Sequence, residues 1–239
     1  MHGADELDSI IVVNQAEYAG VQGTRKMEHC ARFTAAKDKV TAKTRKHLVR
    51  ELDVSGDSIT CRRGCSHCCH HYITASIAEG LVIVDFLYED EHTLTQFLKA
   101  YSTWQEKAGV TCAGLDQLRT LARLSGTPVE SYRTSVISTH HEYAKMTIPC
   151  PFLTGNNDCA IYAVRPLCCS IHASIDPPER CSPDSPQTPR SCDVLPSYND
   201  MALLASFWRS DFSAISLTMP TLVYNLLTRG TEFLIELTQ

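Results

Sequence analysis

From about Thr24 to Glu51 the chain is rich in Ala, Lys, Arg and Thr and holds no Pro. Leu48, Val49 and Leu52 supply late apolar positions, and Asp53-Val54-Ser55-Gly56-Asp57 follows, so the pattern predicts a helix with a stop at its end. Ser76 with Glu79 three residues on has the form of a capping box, opening a helix through Leu81, Val82, Val84, Phe86 and Leu87. Leu94, Phe97, Leu98, Tyr101 and Trp104 recur at three- and four-residue spacing, which predicts a second helix from about Glu91 to Lys107. A shorter helix is expected from Leu115 to Leu124, broken before Pro128. Another is expected from Val129 to Met146, with Tyr132, Val136, His140 and Tyr143 on one stripe. The period is then lost. Pro149 to Pro196 holds nine of the chain's 11 prolines and six of its 12 cysteines, and reads as irregular loops with a short strand or turn near Ala160 to Tyr162. Two helices close the chain, Tyr198 to about Leu217 and Pro220 to Leu237, with Pro220 suited to a first turn. Strand signals are scarce. The expected fold is mainly α, a helical scaffold with irregular cysteine-rich loops. Tyr101, Trp104, Phe207 and Trp208 are expected in its core.

Composition narrows the partners. The chain has 239 residues, 44% hydrophobic and 21% charged, with a formal net charge of −5. That balance argues against a nucleic-acid partner. The basic stretch Lys37 to Lys46 reads as a solvated helix face. No apolar run approaches the roughly 20 residues needed to cross a membrane. The acidic start and the short Ile10-Ile11-Val12-Val13 run do not match a signal peptide, so a soluble cytoplasmic protein is the expectation.

In a reducing compartment 12 cysteines are not expected to form disulfides. Cys30 and Cys112 stand alone, while the other ten fall in 61–69 and 150–192, beside Gly, Pro and polar residues. Such clustering suggests ligands in loops rather than core thiols. The first cluster is Cys61-Arg62-Arg63-Gly64-Cys65-Ser66-His67-Cys68-Cys69. Gly64 permits a tight turn, and Arg62, Arg63 and His67 can offset thiolate charge. The second cluster comprises Cys150, Cys159, Cys168 and Cys169, with Cys181 and Cys192 beyond. A closed zinc site takes four ligands and a cubane iron–sulfur cluster usually takes four cysteines. The clusters therefore suit one centre with spare thiols or two centres. The cysteine excess, the vicinal pairs and the neighbouring cations favour a 4Fe-4S iron–sulfur cluster over a zinc or iron ion, although soft thiolates accept each.

Cys61-x3-Cys65-x2-Cys68 also equals the spacing of radical S-adenosylmethionine enzymes, but those need a strand–helix barrel, and helices follow this motif. His67, His70, His71 and His172 lie near the cysteines and are candidates for contact with metal or substrate. His140-His141 reads as a surface or core pair. Arg165 suits either a structural ion pair or a carboxylate held in a bidentate fork. Tyr162 is placed to cover the site.

Two motifs carry a resemblance. The first is the cluster Cys61 to Cys69. The second is Cys150-Pro151-Phe152-Leu153 followed by Cys159-Ala160-Ile161-Tyr162-Ala163-Val164-Arg165-Pro166-Leu167-Cys168. Together they resemble the CxxCxxCC-type cysteine-cluster family of zinc- or iron-chelating domains, over about residues 60–182. The resemblance implies metal ligation by Cys61, Cys65, Cys68, Cys69, Cys150, Cys159, Cys168 and Cys181. Arg165-Pro166 is followed by one residue before Cys168 where the family has two, so Cys169 is the alternative match. Arg165, Tyr162, His67, His172 and Cys169 are the candidates beside the centre or at a substrate. The family includes the flagellin lysine N-methylase, which uses S-adenosylmethionine. An enzyme modifying an amino acid or protein lysine is thus one expectation, with no catalytic residue assigned. A structural zinc module and a metal carrier or redox sensor are the others. The expected organisation is a helical extension over 1–59, a metal-binding domain over 60–196, and helices over 197–239 packing on that domain.

Overall fold

A computed structural model describes residues 24–125, 139–140, 142–182, 184–187, 189–192, 194–207 and 215–237. Helix α1 (Thr24–Ser55) leads into the first cysteine loop, which ends in a 3-10 turn, His67–His70, and strand β1 (Thr74–Ser76). Helices α2 (Ile77–Glu89) and α3 (Glu91–Ser125) follow. The second cysteine segment carries α4 (Leu167–Ile171), β2 (Ala173–Ser174), a 3-10 turn at Pro178–Cys181 and β3 (Ser191–Cys192). The chain closes with α5 (Tyr198–Ala205), β4 (Ser216–Thr218), α6 (Met219–Thr228) and α7 (Thr231–Glu236). The fold is mainly α. Two small antiparallel pairs tie it together: Thr74 opposite Thr218 in β1–β4, and Ala173 opposite Cys192 in β2–β3.

Helix α2 is the centre of the core. The expected capping box is present: Ser76 Oγ accepts from Glu79 N–H, and the Glu79 carboxylate accepts from Ser76 N–H at 2.8 Å. Its apolar residues Leu81, Val82, Ile83, Val84 and Leu87 are all buried, and it is covered by α1, α3 and α6. Gly80 lets α6 approach closely, since a Cβ there would lie 2.8 Å from Leu226 Cδ1 and 2.9 Å from Leu222. Full burial of a Leu, Val or Ile side chain contributes about 1.5–3 kcal/mol, so this contact alone supplies much of the driving force.

Helix α3 runs unbroken from Glu91 to Ser125, not as the two helices expected. Trp104, Ala108, Cys112 and Leu115 keep one buried stripe going across the gap, with small residues where larger ones would have advertised it. Its Phe97 ring stacks on Phe152 of the second cysteine loop, 4.4 Å between centroids, and Tyr101 stacks on Tyr224 at 4.2 Å. Trp104 Nε1 donates to Tyr143 Oη at 3.0 Å.

The closing region also departs from expectation. The helix from Tyr198 stops at Ala205, and 216–218 is a strand. Thr74–Ser76 offers it an edge, and Asp116 of α3 accepts from Thr218 N–H at 2.9 Å and from Tyr72 Oη–H at 2.6 Å. Tyr101, Trp104 and Phe207 are buried as expected. Trp208, His141 and residues 129–138 of the expected Val129–Met146 helix lie outside the described residues; 139–140 and 142–145 are helical.

Helix α1 corrects a further expectation. Its buried stripe is Cys30, Phe33, Lys37, Val40, Thr44, Leu48 and Leu52, at three- and four-residue spacing. Lys39, Lys43 and Lys46 do face solvent. Lys37 does not: it is 2% exposed and is used inside.

Candidate metal centre

The first cysteine loop is a sequence of tight turns. Gly64 sits at φ +83°, which side chains other than hydrogen rarely tolerate. Cys65 N–H closes on Arg62 O at 3.1 Å, and Cys69 N–H closes the 3-10 turn on Ser66 O at 2.9 Å. The two ends of the loop are fastened to different parts of the second segment. At one end Thr60 N–H donates to Ser174 O at 2.9 Å, and Ser174 N–H donates to Cys61 Sγ at 3.1 Å. At the other end Cys150 N–H donates to Cys69 O at 2.8 Å.

The second segment is shaped by the helices beneath it. Phe152, anchored on Phe97, fixes a hairpin in which Leu153 bridges Cys159, so Cys150 and Cys159 stand on one small unit. The chain then passes over α1 and α2. Lys37 Nζ donates to Val164 O at 3.2 Å and Arg165 O at 2.6 Å. Glu79 Oε1 accepts from Leu167 N–H at 2.6 Å, and Arg45 Nε donates to Ser170 O at 2.8 Å. Lys37, Glu79 and Arg45 thereby grip the Arg165-Pro166 turn and the Cys168-Cys169 helix. Further on, the 3-10 turn that ends in Cys181 lies against the turn that carries Cys68 and Cys69.

Every cysteine whose side chain is described is a free thiol. Several sulfurs accept backbone N–H groups: Cys61 from Ser174, Cys65 from His67, Cys150 from Phe152 and Cys159 from Ile161. Burial pushes the Cys65 and Cys159 thiols up and the Cys150 thiol to about 12, while these amides pull the other way. Cys69 donates its S–H to Cys68. This donation, against burial and with help from His172 and Arg165, brings Cys68 down to about 6 and drives Cys69 well up. Cys169 is likewise driven up, by its hydrogen bond with Cys168 and by burial.

The sequence-predicted residues divide as follows. Cys65 feels the charges of Cys68, Cys61 and Cys181. Cys69 feels those of Cys68, Cys150 and Cys159. Cys169 feels Cys168, Cys150 and Cys68. Cys168 is exposed and donates its thiol to Thr74 O at 3.3 Å, with Cys169 beside it. His172 and Arg165 lie beside Cys68, and His67 supplies its amide to Cys65. Tyr162 is 39% exposed, with the Arg165 guanidinium 4.1 Å and the Arg63 guanidinium 5.3 Å from its ring centroid. The Cys192 side chain lies outside the description. Among the described residues no three His, Cys, Asp or Glu side chains stand close enough, as placed, to hold one ion. Closing a shell therefore requires thiols to turn from their S–H partners toward a shared point.

Four contributors escaped the sequence reading: Lys37, Arg45, Ser174 and Glu79 in its second role on Leu167. Lys37 left a trace, since it falls on the spacing of the buried α1 stripe. The Ser174 amide left none, because any residue type supplies an N–H.

The donor set is soft sulfur on tight turns, which suits zinc or iron. Helices carrying such loops define a cysteine-rich metal-chelating module. Residues 60–193 match the family model CxxCxxCC, "putative zinc- or iron-chelating domain", and the chain belongs to this family. Nothing among curated proteins and no solved structure matches the chain. No helix among the described residues is long and apolar enough to cross a membrane.

Proposed function

We propose that the chain is a metalloprotein whose residues 60–196 hold a cysteine-ligated iron–sulfur cluster, with 1–59 and 197–239 as helical additions to that domain. The ligands are drawn from Cys61, Cys65, Cys68, Cys69, Cys150, Cys159 and Cys181, with Cys169 taken over Cys168 because Cys168 turns to Thr74 O. One observation carries the reading. Backbone N–H groups aim at Cys61, Cys65, Cys150 and Cys159. An amide directed at sulfur favours the thiolate, the form that binds metal, and does little for a neutral core thiol. Iron–sulfur is preferred to zinc because thiols exceed the needs of one zinc ion and because Arg63 and Arg165 stand by to offset the charge of a cluster. The test is anaerobic purification with metal analysis and an absorption spectrum. Stoichiometric iron with acid-labile sulfide and a broad visible band supports the proposal. A colourless protein that holds only zinc overturns the cluster and leaves a structural zinc module.

A second reading makes the centre part of an enzyme that modifies an amino acid or protein lysine with S-adenosylmethionine. It draws on the half-exposed Tyr162 with Arg165 at 4.1 Å from its ring, a platform that suits a substrate carboxylate. Saturable binding of S-adenosylmethionine to the native chain, weakened by Arg165→Gln, supports it; absence of binding ends it.

A further inference from the structure

We infer that a cleft between α1 and the start of α5 is a binding site for a small phosphate monoester that carries an apolar group. None of the residues lining it is a cysteine, so the site stands whether or not the metal reading does.

One wall of the cleft is cationic. Lys43, Lys46, His47 and Arg50 line it, and their three- and four-residue spacing sets them on one face of α1. The cleft has one carboxylate, Asp200, and its charge is already met: Lys43 Nζ donates to its two oxygens at 2.9 and 2.8 Å, and Ser197 Oγ–H donates to Oδ2. Glu51, one turn beyond His47, lies 3.4 Å from the His47 ring nitrogen. Lys46 and Arg50 are exposed and, among the described residues, pair with no carboxylate. Like charges four residues apart on a helix repel, so an anion held between them relieves a cost that the free chain bears. The opposite wall is the first turn of α5. Ser197 caps that helix, its Oγ accepting from Asp200 N–H at 3.2 Å. The first amides of a helix have no partner inside it, and its positive end favours an anion. Thr44 gives an independent sign of a ligand. It lines the cleft at 5% exposure, and its buried hydroxyl meets no hydrogen-bond partner among the described residues. A helical threonine has two accessible χ1 rotamers, so this hydroxyl can turn to a bound oxygen. A phosphate monoester carries close to two charges at neutral pH and three acceptor oxygens, which matches two spare cations, a helix start and a hydroxyl; a carboxylate carries one charge. Leu195, 78% exposed and also lining the cleft, offers an apolar surface to the ester group. The cleft measures about 270 Å³, near the lower end of ligand pockets, so it takes a small molecule rather than a polymer.

The test is calorimetric titration of the native chain, as purified, with phenyl phosphate, inorganic phosphate and benzoate. One saturable site is expected, tightest for phenyl phosphate and weakest for benzoate. Lys46→Gln with Arg50→Gln should weaken phenyl phosphate about 10-fold. Leu195→Ser should remove its advantage over inorganic phosphate. All three side chains are exposed, so helical circular dichroism should be retained. No saturable binding to the native chain, or an affinity unchanged in the folded double variant, overturns the site. Benzoate bound as tightly as phenyl phosphate overturns the phosphate assignment. Binding lost through Arg165→Gln instead moves the anion to the Tyr162 platform and overturns the cleft. A chain that binds phenyl phosphate in the expected way but holds no metal removes the metal reading alone.

Discussion

The helical half and the cysteine segments are held by different forces. Around α2 and α6 the contact is apolar throughout: Ile83, Val84, Leu222 and Val223 are fully buried. Around 150–181 apolar anchors are few, chiefly Phe152 and Ile161, and the chain is held by side chains that reach its backbone: Lys37, Arg45, Glu79 and Thr60. Apolar burial is non-directional and scales with area. A charged side chain on a carbonyl is directional and fixes a position. The scaffold therefore supplies stability, and the polar pins supply placement of sulfur.

That division yields predictions in order of expected effect on stability. Leu222→Ala, in the helical half, opens a cavity against α2 and should cost about 2–5 kcal/mol. Denaturant unfolding measures it, and metal stoichiometry should stay unchanged; a fall in bound metal would erase the contrast between the halves. Acid comes next. Burial, with the nearby Arg32 charge, lowers His29 from 6.5 to about 4, so the folded chain keeps it neutral. As pH falls from 6.5 toward 4 the unfolded chain takes up a proton that the folded chain refuses, and stability should drop by about 3 kcal/mol before levelling off. Stability measured at pH 7, 5 and 4 in His29→Phe should lack this slope.

Tyr72→Phe sits where the halves meet. It removes the 2.6 Å hydrogen bond to Asp116 while Thr218 N–H still reaches that carboxylate. A loss of about 1.5–3 kcal/mol is expected for a bond to a charged group, read as a lower thermal midpoint. Lys37→Met should move the midpoint least. Two unmet carbonyls cost about 1–3 kcal/mol, but a buried ammonium is removed as well. Its effect should appear in placement: metal affinity falls about 10-fold and amide exchange rises over 164–171, as when a group behind a ligand is lost. Unchanged affinity with a large fall in midpoint would make Lys37 ordinary scaffold.

Much of this was legible. The capping box at Ser76 and the Phe97, Tyr101 and Trp104 stripe are local signals and appear as read, while Leu98, read onto the same stripe, faces solvent. Cysteines gathered beside Gly64 and the prolines pointed to loop ligands before any geometry. The misreadings have physical causes. Residues 108–114 are small, so the stripe that joins both parts of α3 carries little hydrophobic signal. The strand at 216–218 forms because Thr74–Ser76 and Asp116 offer its backbone partners from far away in the chain, and three residues carry no period of their own. Lys37 was assigned to solvent from its charge, yet its partners are the carbonyls of Val164 and Arg165, some 127 residues distant.

By itself the sequence determined the kind of chemistry and the helical frame, because side-chain type and short-range periodicity are local properties. Which sulfurs face one another was decided only by the tertiary structure. Cys168 and Cys169 are adjacent in the chain, but Cys168 is exposed with its thiol on Thr74 O, whereas Cys169 is partly buried beside Cys168 and feels Cys150 and Cys68 from other turns. That choice depends on how Lys37 and Glu79 aim the turn before them, and hydrogen bonds between distant segments exist only once the helices have packed.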